Sequence, residues 1–136
     1  MPNPNAIDDF AARYANAWSS QRPAAVAAFF APNGSLTIND GPTAVGRFAI
    51  ADAARGFMTA FPDLQVFCDQ VTPTGDRVEF HWTLDGHNTG PGGKGNRVRL
   101  SGFEEWRLSD NGLIQESRGH FAAAEYQRQI EHGYQC

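Results

Sequence analysis

Scarcity is informative in this chain of 136 residues. It carries two cysteines, Cys68 in a run that alternates like a strand and Cys136 at the final position. Two thiols so placed make neither a zinc-ligand pattern nor a disulfide framework, and both read as free. Basic charge is sparse too: eleven Lys and Arg against fifteen Asp and Glu leave a net charge of −4. No basic cluster interleaves with aromatics as a nucleic-acid surface requires, which argues against a nucleic-acid partner. No apolar run approaches the ~20 residues that span a bilayer. The opening stretch, MPNPNAIDDF, lacks the basic and apolar regions of a signal peptide. A cytoplasmic protein with no membrane partner is the expectation. His, Cys and carboxylate residues fall at no metal-ligand spacing, and the nucleophile motif G-x-S-x-G is missing, so neither a metal site nor a serine triad is expected. GPGGKG, residues 90–95, matches G-x-G-x-x-G in form only, because NRVRL continues after it as a strand where a dinucleotide site needs a helix.

What the chain does hold is apolar substance, 41% of residues with 12% aromatic. That suits one globular domain over residues 1–136, its core running from about 5 to 130. Ile7, Phe10, Tyr14 and Trp18 recur at spacings of three and four, one stripe of a helix over 6–19 with Asn5 as its N-cap. RPAAVAAFFAPNG reads as a short second helix, with Pro23 in its first turn and Pro32 and Gly34 ending it. SLTIN alternates as a strand. Phe48 to Phe61 is a third helix, apolar at Ile50, Ala54, Phe57, Met58 and Phe61 and closed by Pro62. From residue 65 the period becomes two, giving strands at about 65–72, 77–86, 96–108 and 113–121. Helices before strands predict an α+β fold, with helices on one face of an antiparallel sheet. The tail AEYQRQIEHGYQC either forms a short last helix or frays.

Parity assigns the faces. In RVRLSGFEEWRL the even positions, Val98, Leu100, Gly102, Glu104, Trp106 and Leu108, form the apolar face, so Glu104 is a carboxyl on the buried side and needs a partner or a raised pKa. In RVEFHWTLDG, Val78, Phe80, Trp82 and Leu84 point inward and His81 points out; Asn88 falls on the inner side if Gly86 hosts no bulge. SDNGL suits a three-residue hairpin loop with Gly112 in the left-handed region. Counting back from that loop, Leu108 faces Ile114, Trp106 faces Glu116, Glu104 faces Arg118 and Gly102 faces His120. A four-residue loop would instead turn Gln115, Ser117, Gly119 and Phe121 inward. With the shorter loop, Glu104, Glu116, Arg118, His120 and Asn88 converge at one end of an apolar face, and Tyr14, Trp18, Phe57 and Phe61 close the other wall. Such a mix describes a small-molecule pocket.

RVEFHWTLDGHNTGPGG, NRVRLSGFEEWRLSDNGLI and ESRGHF resemble the strand–glycine-turn element, the G-x-(D/E) strand and the closing strand of the SnoaL-like branch of the nuclear-transport-factor-two and ketosteroid-isomerase superfamily. The resemblance covers nearly the whole chain. It implies a cone of about three N-terminal helices packed on a curved antiparallel (mixed) sheet, and a homodimer through the open sheet face that carries His81 and Phe103. Members include polyketide cyclases that use acid–base chemistry without metal or cofactor, so no cofactor is expected. Two positions depart from the family. Relatives read G-T-H-T-G where this chain reads GHNTG, which puts Asn88 in place of a histidine, and the cyclases' catalytic aspartate aligns with Ala122.

The leading expectation is an isomerase- or cyclase-like enzyme acting on a small, apolar, carbonyl-bearing molecule. His120 moves the proton, having the one inward group whose ordinary pKa, ~6.5, suits transfer near neutrality. Arg118 and Asn88 stabilise oxyanion character, and Glu104 holds Arg118 or His120 in place. Glu116, Trp82, Trp106, Tyr14, Trp18, Phe57 and Phe61 contact the ligand. The alternatives are a binding or carrier module with the same pocket and no chemistry, favoured by Ala122, and a dimeric interaction module with a vestigial pocket.

Overall fold

The structure, a computed structural model, describes residues 4–135; Cys136, expected to be a free thiol, lies outside the described residues. In chain order the elements are α1 (Pro4–Ser19), α2 (Pro23–Ala27), β1 (Phe30–Ile38), β2 (Ala44–Val45), α3 (Arg47–Ala60), β3 (Gln65–Thr74), β4 (Arg77–His87), β5 (Arg97–Leu108), β6 (Ile114–His120) and α4 (Ala123–His132). The strands form one sheet in the order β2-β1-β6-β5-β4-β3. All neighbours are antiparallel except β1 and β6, which run parallel, so the sheet is mixed.

The helical stripe of α1 forms as its spacing requires: Ile7, Ala11, Tyr14, Ala15 and Trp18 are buried. Asn5, expected to cap that helix, lies inside it. α2 is a single turn opened by Pro23, and the chain is already extended at Phe30, well before SLTIN. Pro32 and Gly34 therefore sit in the irregular first half of a strand, where pairing with β6 shifts between Phe30 and Ser35. Gly34 is required there, since a Cβ would come within 2.8 Å of the Ile114 carbonyl oxygen. α3 buries Ile50, Ala54 and Met58, and the tail forms α4 rather than fraying. Beyond the end of β6, α4 covers the edge of β5: the Gln129 side chain accepts the Arg99 backbone N–H at 2.7 Å, and Asn96 donates to the Ile130 carbonyl at 2.9 Å. A buried amide thus stands in for the missing strand partner.

The hairpin joining β5 to β6 decides what faces the core. The SDNGL loop is the three-residue form: Ser109 N–H donates to Leu113 O at 2.7 Å, Gly112 N–H to Ser109 O at 2.9 Å, Gly112 has φ +83°, and Leu108 pairs with Ile114. One residue later the register slips. Between Leu108↔Ile114 and Arg107↔Glu116 an extra residue, Gln115, bulges out of β6. From there Trp106 faces Ser117, Glu105 faces Arg118, Glu104 faces Gly119 and Phe103 faces His120. Each pairing expected beyond Leu108↔Ile114 is off by one, which turns every later β6 side chain over. Glu116, Arg118 and His120, expected inside, lie on the outer face, and Ser117 and Gly119 lie inside. The physical reason is cost: three charged or titratable side chains on an apolar face would each lose several kcal/mol of hydration. One bulged residue avoids that loss while Ile114 stays fully buried and donates its N–H to Phe29 O.

Candidate functional site

One aromatic cluster occupies the centre of the core. Tyr14 is enclosed by Phe29, Phe30, Phe80 and Trp106 at ring-centre distances of 5.2–6.1 Å, and Phe80 stacks on Trp106 at 5.0 Å. Into it projects Glu104, 7% exposed. Three neutral donors meet this carboxyl, and they converge on one oxygen. Oε1 accepts the Ser117 hydroxyl at 2.7 Å, the Trp106 indole N–H at 2.9 Å and the Tyr14 phenol at 3.0 Å; Oε2 receives only a long contact from Tyr14, 3.3 Å. Among the described residues no Arg, Lys or His bonds to it, so the expected partner Arg118 is replaced by three hydrogen bonds. Burial pushes the Glu104 pKa above the ordinary carboxylate range, and the three donors offset only part of that shift. Burial and the neighbouring carboxyl raise the Tyr14 phenol well above its usual value as well.

Glu104 is on the wall of a cavity of about 60 Å³ whose other walls include Trp18, Leu36, Ile38, Phe57, Phe80, Trp82, Gly119, Phe121 and Tyr126. Gly119 lies beside the carboxyl, where a Cβ would meet Glu104 Cγ at an ordinary van der Waals distance of 3.6 Å. The volume is well under the ~300–1,000 Å³ of pockets for drug-sized ligands. A molecule of a few heavy atoms fits; a larger one requires Phe57, Phe121 or Tyr126, all only partly buried, to swing aside.

The expected site residues separate into two groups. Glu104, Trp18, Phe57 and Trp82 line the cavity. Tyr14 and Trp106 lie behind it and bind the carboxyl, and Phe61 packs at 6.4 Å from Tyr126. The Trp18 indole N–H lies beside the Tyr14 oxygen but short of good hydrogen-bond geometry, and finds no other partner among the described residues. Asn88 is buried, yet away from the cavity: its amide donates to the Ala60 carbonyl at 3.1 Å, and its backbone pairs with Asn96 and Gly95. It ties the glycine loop to the end of α3. His120 is on the outer face, with its Nε2 2.9 Å from Glu105 Oε1 and its ring 4.9 Å from Phe103. Arg118 and Glu116 pair with each other there at 3.3 Å. His120 and Ala122 border a separate, solvent-open groove of about 570 Å³ with Asn39 and Asp40. Among the described residues no group of three His, Cys, Asp or Glu could hold a metal, and no helix is long and apolar enough to cross a membrane.

Sequence reasoning missed Tyr126 and Ser117. Tyr126 is carried in by α4, its phenol pKa raised by burial, and the phenol makes no hydrogen bond to the described residues. Among the described residues it brings, besides Glu104, the only other ionisable group to the cavity wall. Ser117 was within reach of the sequence, because the four-residue-loop alternative turned it inward together with Gly119 and Phe121. The bulge that brings about this inward turn leaves no mark of its own.

Helices on a curved, mixed six-stranded sheet, closed around an apolar cavity with one buried carboxyl, give the nuclear-transport-factor-two-like fold. The family model of the SnoaL-like domain matches residues 11–117, and the chain belongs to that family. Solved structures of the same fold include a putative SnoaL-like polyketide cyclase from Jannaschia sp. CCS1, 18% identical over 97% of both chains with a TM-score of 0.82. A hypothetical protein of ketosteroid isomerase-like fold from Catenulispora acidiphila, solved in complex with trimethylamine, is 18% identical over 90% of this chain and 92% of its own, with a TM-score of 0.80. The epoxide hydrolase/cyclase-like enzyme SalBIII, of pyran ring formation in the polyether salinomycin, is 16% identical over 92% and 97%, with a TM-score of 0.77. At these identities the likeness is one of fold. Curated proteins gave no match.

Proposed function

We propose that the protein is a cofactor-independent acid–base enzyme acting on a small, mostly apolar, carbonyl-bearing molecule, and that Glu104 rather than His120 exchanges the proton. The observation carrying this reading is the cavity's asymmetry: an apolar chamber with one carboxyl, whose Oε1 is held by three donors while Oε2 is nearly free. A raised pKa brings a carboxyl toward the working pH, where it serves as acid and base with the greatest efficiency. Oε2 takes a proton from the carbon beside the carbonyl and returns it at another position. The electron pair left behind resides on the carbonyl oxygen as an enolate, which the unpaired Tyr126 phenol is suited to hydrogen-bond.

The experiment is solvent exchange. Small ketones and enones incubated with the protein in D2O are followed by proton NMR for loss of signal at the α-carbon. Catalysed exchange is expected in the wild type, at least a hundredfold weaker in Glu104→Gln and unchanged in His120→Ala. Exchange that survives Glu104→Gln would overturn the assignment.

A second reading, a carrier that binds without chemistry, is favoured by one observation: Ala122, aligned with the cyclases' base, is exposed at the groove and away from the cavity. A ligand recovered undeuterated from every incubation supports it. We also propose a cytoplasmic homodimer. The outer sheet face carries the ring ladder His81–Phe103–His120, spaced 5.5 and 4.9 Å, and Cys68 is free, as suits a reducing compartment. Sedimentation should give twice the chain mass, falling to one chain in Phe103→Asp.

A further inference from the structure

The cavity's lining selects for charge as well as size. Aromatic rings make up much of it: Trp18, Phe57, Trp82, Phe121 and Tyr126 all reach its wall. Adjacent rings meet at steep angles, 74° for Trp18–Phe57, 67° for Trp82–Phe121 and 63° for Phe121–Tyr126. Rings so crossed differ in orientation around the cavity, and a ring face turned inward offers the electron-rich side that attracts cations. Among the described residues the carboxyl is the wall's one carboxylic group, and no Arg, Lys or His lines the cavity to hold an anion. From this we propose, on the premise of the preceding reading that this cavity is the functional site, that it binds small tertiary alkylammonium ions, with the single N–H on Glu104 Oε2 and the alkyl groups on the rings.

The hydrogen-bond inventory sets the degree of substitution. Oε1 is already saturated by Ser117, Trp106 and Tyr14, which leaves essentially one acceptor position, on Oε2. A tertiary ammonium has one N–H and satisfies it. A primary ammonium has three, and inside an apolar chamber two of them would go unpaired, each at the cost of a buried unsatisfied donor. The small volume, about 60 Å³, limits the alkyl groups to methyl or ethyl unless an aromatic wall opens. Aliphatic amines are cationic at neutral pH, as the Lys side chain is. Binding one beside Glu104 favours the carboxylate over the neutral acid, so where the empty site holds a proton, that proton leaves as the cation enters. The titratable groups facing the carboxyl are Tyr14, directly bonded to it, and Tyr126 across the cavity; both have phenol pKa values raised by burial, and they stay neutral through this range.

Calorimetry tests this with trimethylammonium, methylammonium and tert-butanol, a neutral molecule of similar shape, in buffers of different ionisation enthalpy. Expected are saturable binding of trimethylammonium at least tenfold tighter than of methylammonium, and proton release that diminishes as the pH is raised. Glu104→Gln, which keeps the shape and the Oε1 acceptor, should abolish cation binding. Phe121→Leu, at a partly buried wall, should weaken the cation several-fold and tert-butanol by much less. Equal affinity for tert-butanol and trimethylammonium, a preference for methylammonium, or no saturable binding of any cation overturns the proposal. Ketone exchange without cation binding would sink this inference alone, and cation binding without exchange would sink the enzymatic reading alone.

Discussion

Replacing Glu104 in two ways separates its roles as acceptor and as acid. In Glu104→Ala the Tyr14 phenol, the Trp106 indole and the Ser117 hydroxyl, on residues that are all fully buried, lose their shared acceptor. An unsatisfied buried donor costs about 1–3 kcal/mol. Water entering the enlarged cavity can satisfy some of the three, so a total of roughly 3–6 kcal/mol is expected, a large part of the ~5–15 kcal/mol that holds a domain folded. Glu104→Gln retains Oε1 and all three donors, so its cost at low pH should stay under about 1 kcal/mol. The pH dependence then isolates the acid. Because the folded-state pKa of Glu104 is raised, the unfolded chain ionises first, above ~4.3, while the folded chain still holds its proton. Over that window the folded state binds more protons, and stability falls as pH rises until the folded pKa is passed. The glutamine variant lacks this decline and should gain on the wild type from about pH 4 upward. Urea unfolding followed by tryptophan fluorescence, with m-values compared, measures all three proteins. If Gln costs as much as Ala, or if its pH slope matches that of the wild type, the reasoning fails.

The outer face should be energetically quiet: His120→Ala and Arg118→Ala remove side chains that are 41% and 57% exposed and should each change stability by no more than about 0.5 kcal/mol in the same unfolding assay. The two inward glycines should respond in opposite ways. A methyl at Gly102 would collide with the Trp82 ring and the His120 backbone, while one at Gly119 meets Glu104 at an ordinary 3.6 Å; Gly102→Ala should lose about 1–3 kcal/mol in urea unfolding and Gly119→Ala less than half of that. Deleting Gln115 removes the bulged residue and leaves Leu108↔Ile114 directly followed by Arg107↔Glu116, a continuous ladder with the same faces. That deletion protein should fold with Glu104 still bonded to Ser117, visible in a crystal structure. Inward-turned Arg118 and His120 would refute the role given to the bulge.

How much of this was legible in the sequence depended on the range of the interaction. Local periodicity placed α1, α3 and the four later strands, and the left-handed Gly112 placed the hairpin loop, because each is set by residues within a turn or two of one another. Glu104 stood out because an acidic residue breaks an apolar alternation. Its partners could not be read in the same way. They depend on the bulge at Gln115, which answers to the burial of Ile114 and to pairing with β1, a strand some eighty residues earlier in the chain. Parity counted through a bulge inverts every later assignment, which is how His120, Arg118 and Glu116 came to be expected inside. Tyr126 escaped for a similar reason: whether the tail frays or packs depends on Gln129 finding an unpaired edge amide at Arg99, and no local pattern announces that.

The claim on which the rest stands is that burial raises the pKa of the Glu104 carboxyl above that of an exposed glutamate, and that this carboxyl exchanges its proton with whatever fills the cavity. Carbon-13 NMR of a glutamate-labelled sample, with the Glu104 carboxyl assigned by its loss in Glu104→Gln, follows that proton directly. The account predicts a midpoint clearly above the ~4.3 of an exposed glutamate, and a change in that midpoint when a small ketone or trimethylammonium is added. A midpoint at or below the exposed value, unmoved by either ligand, would contradict it.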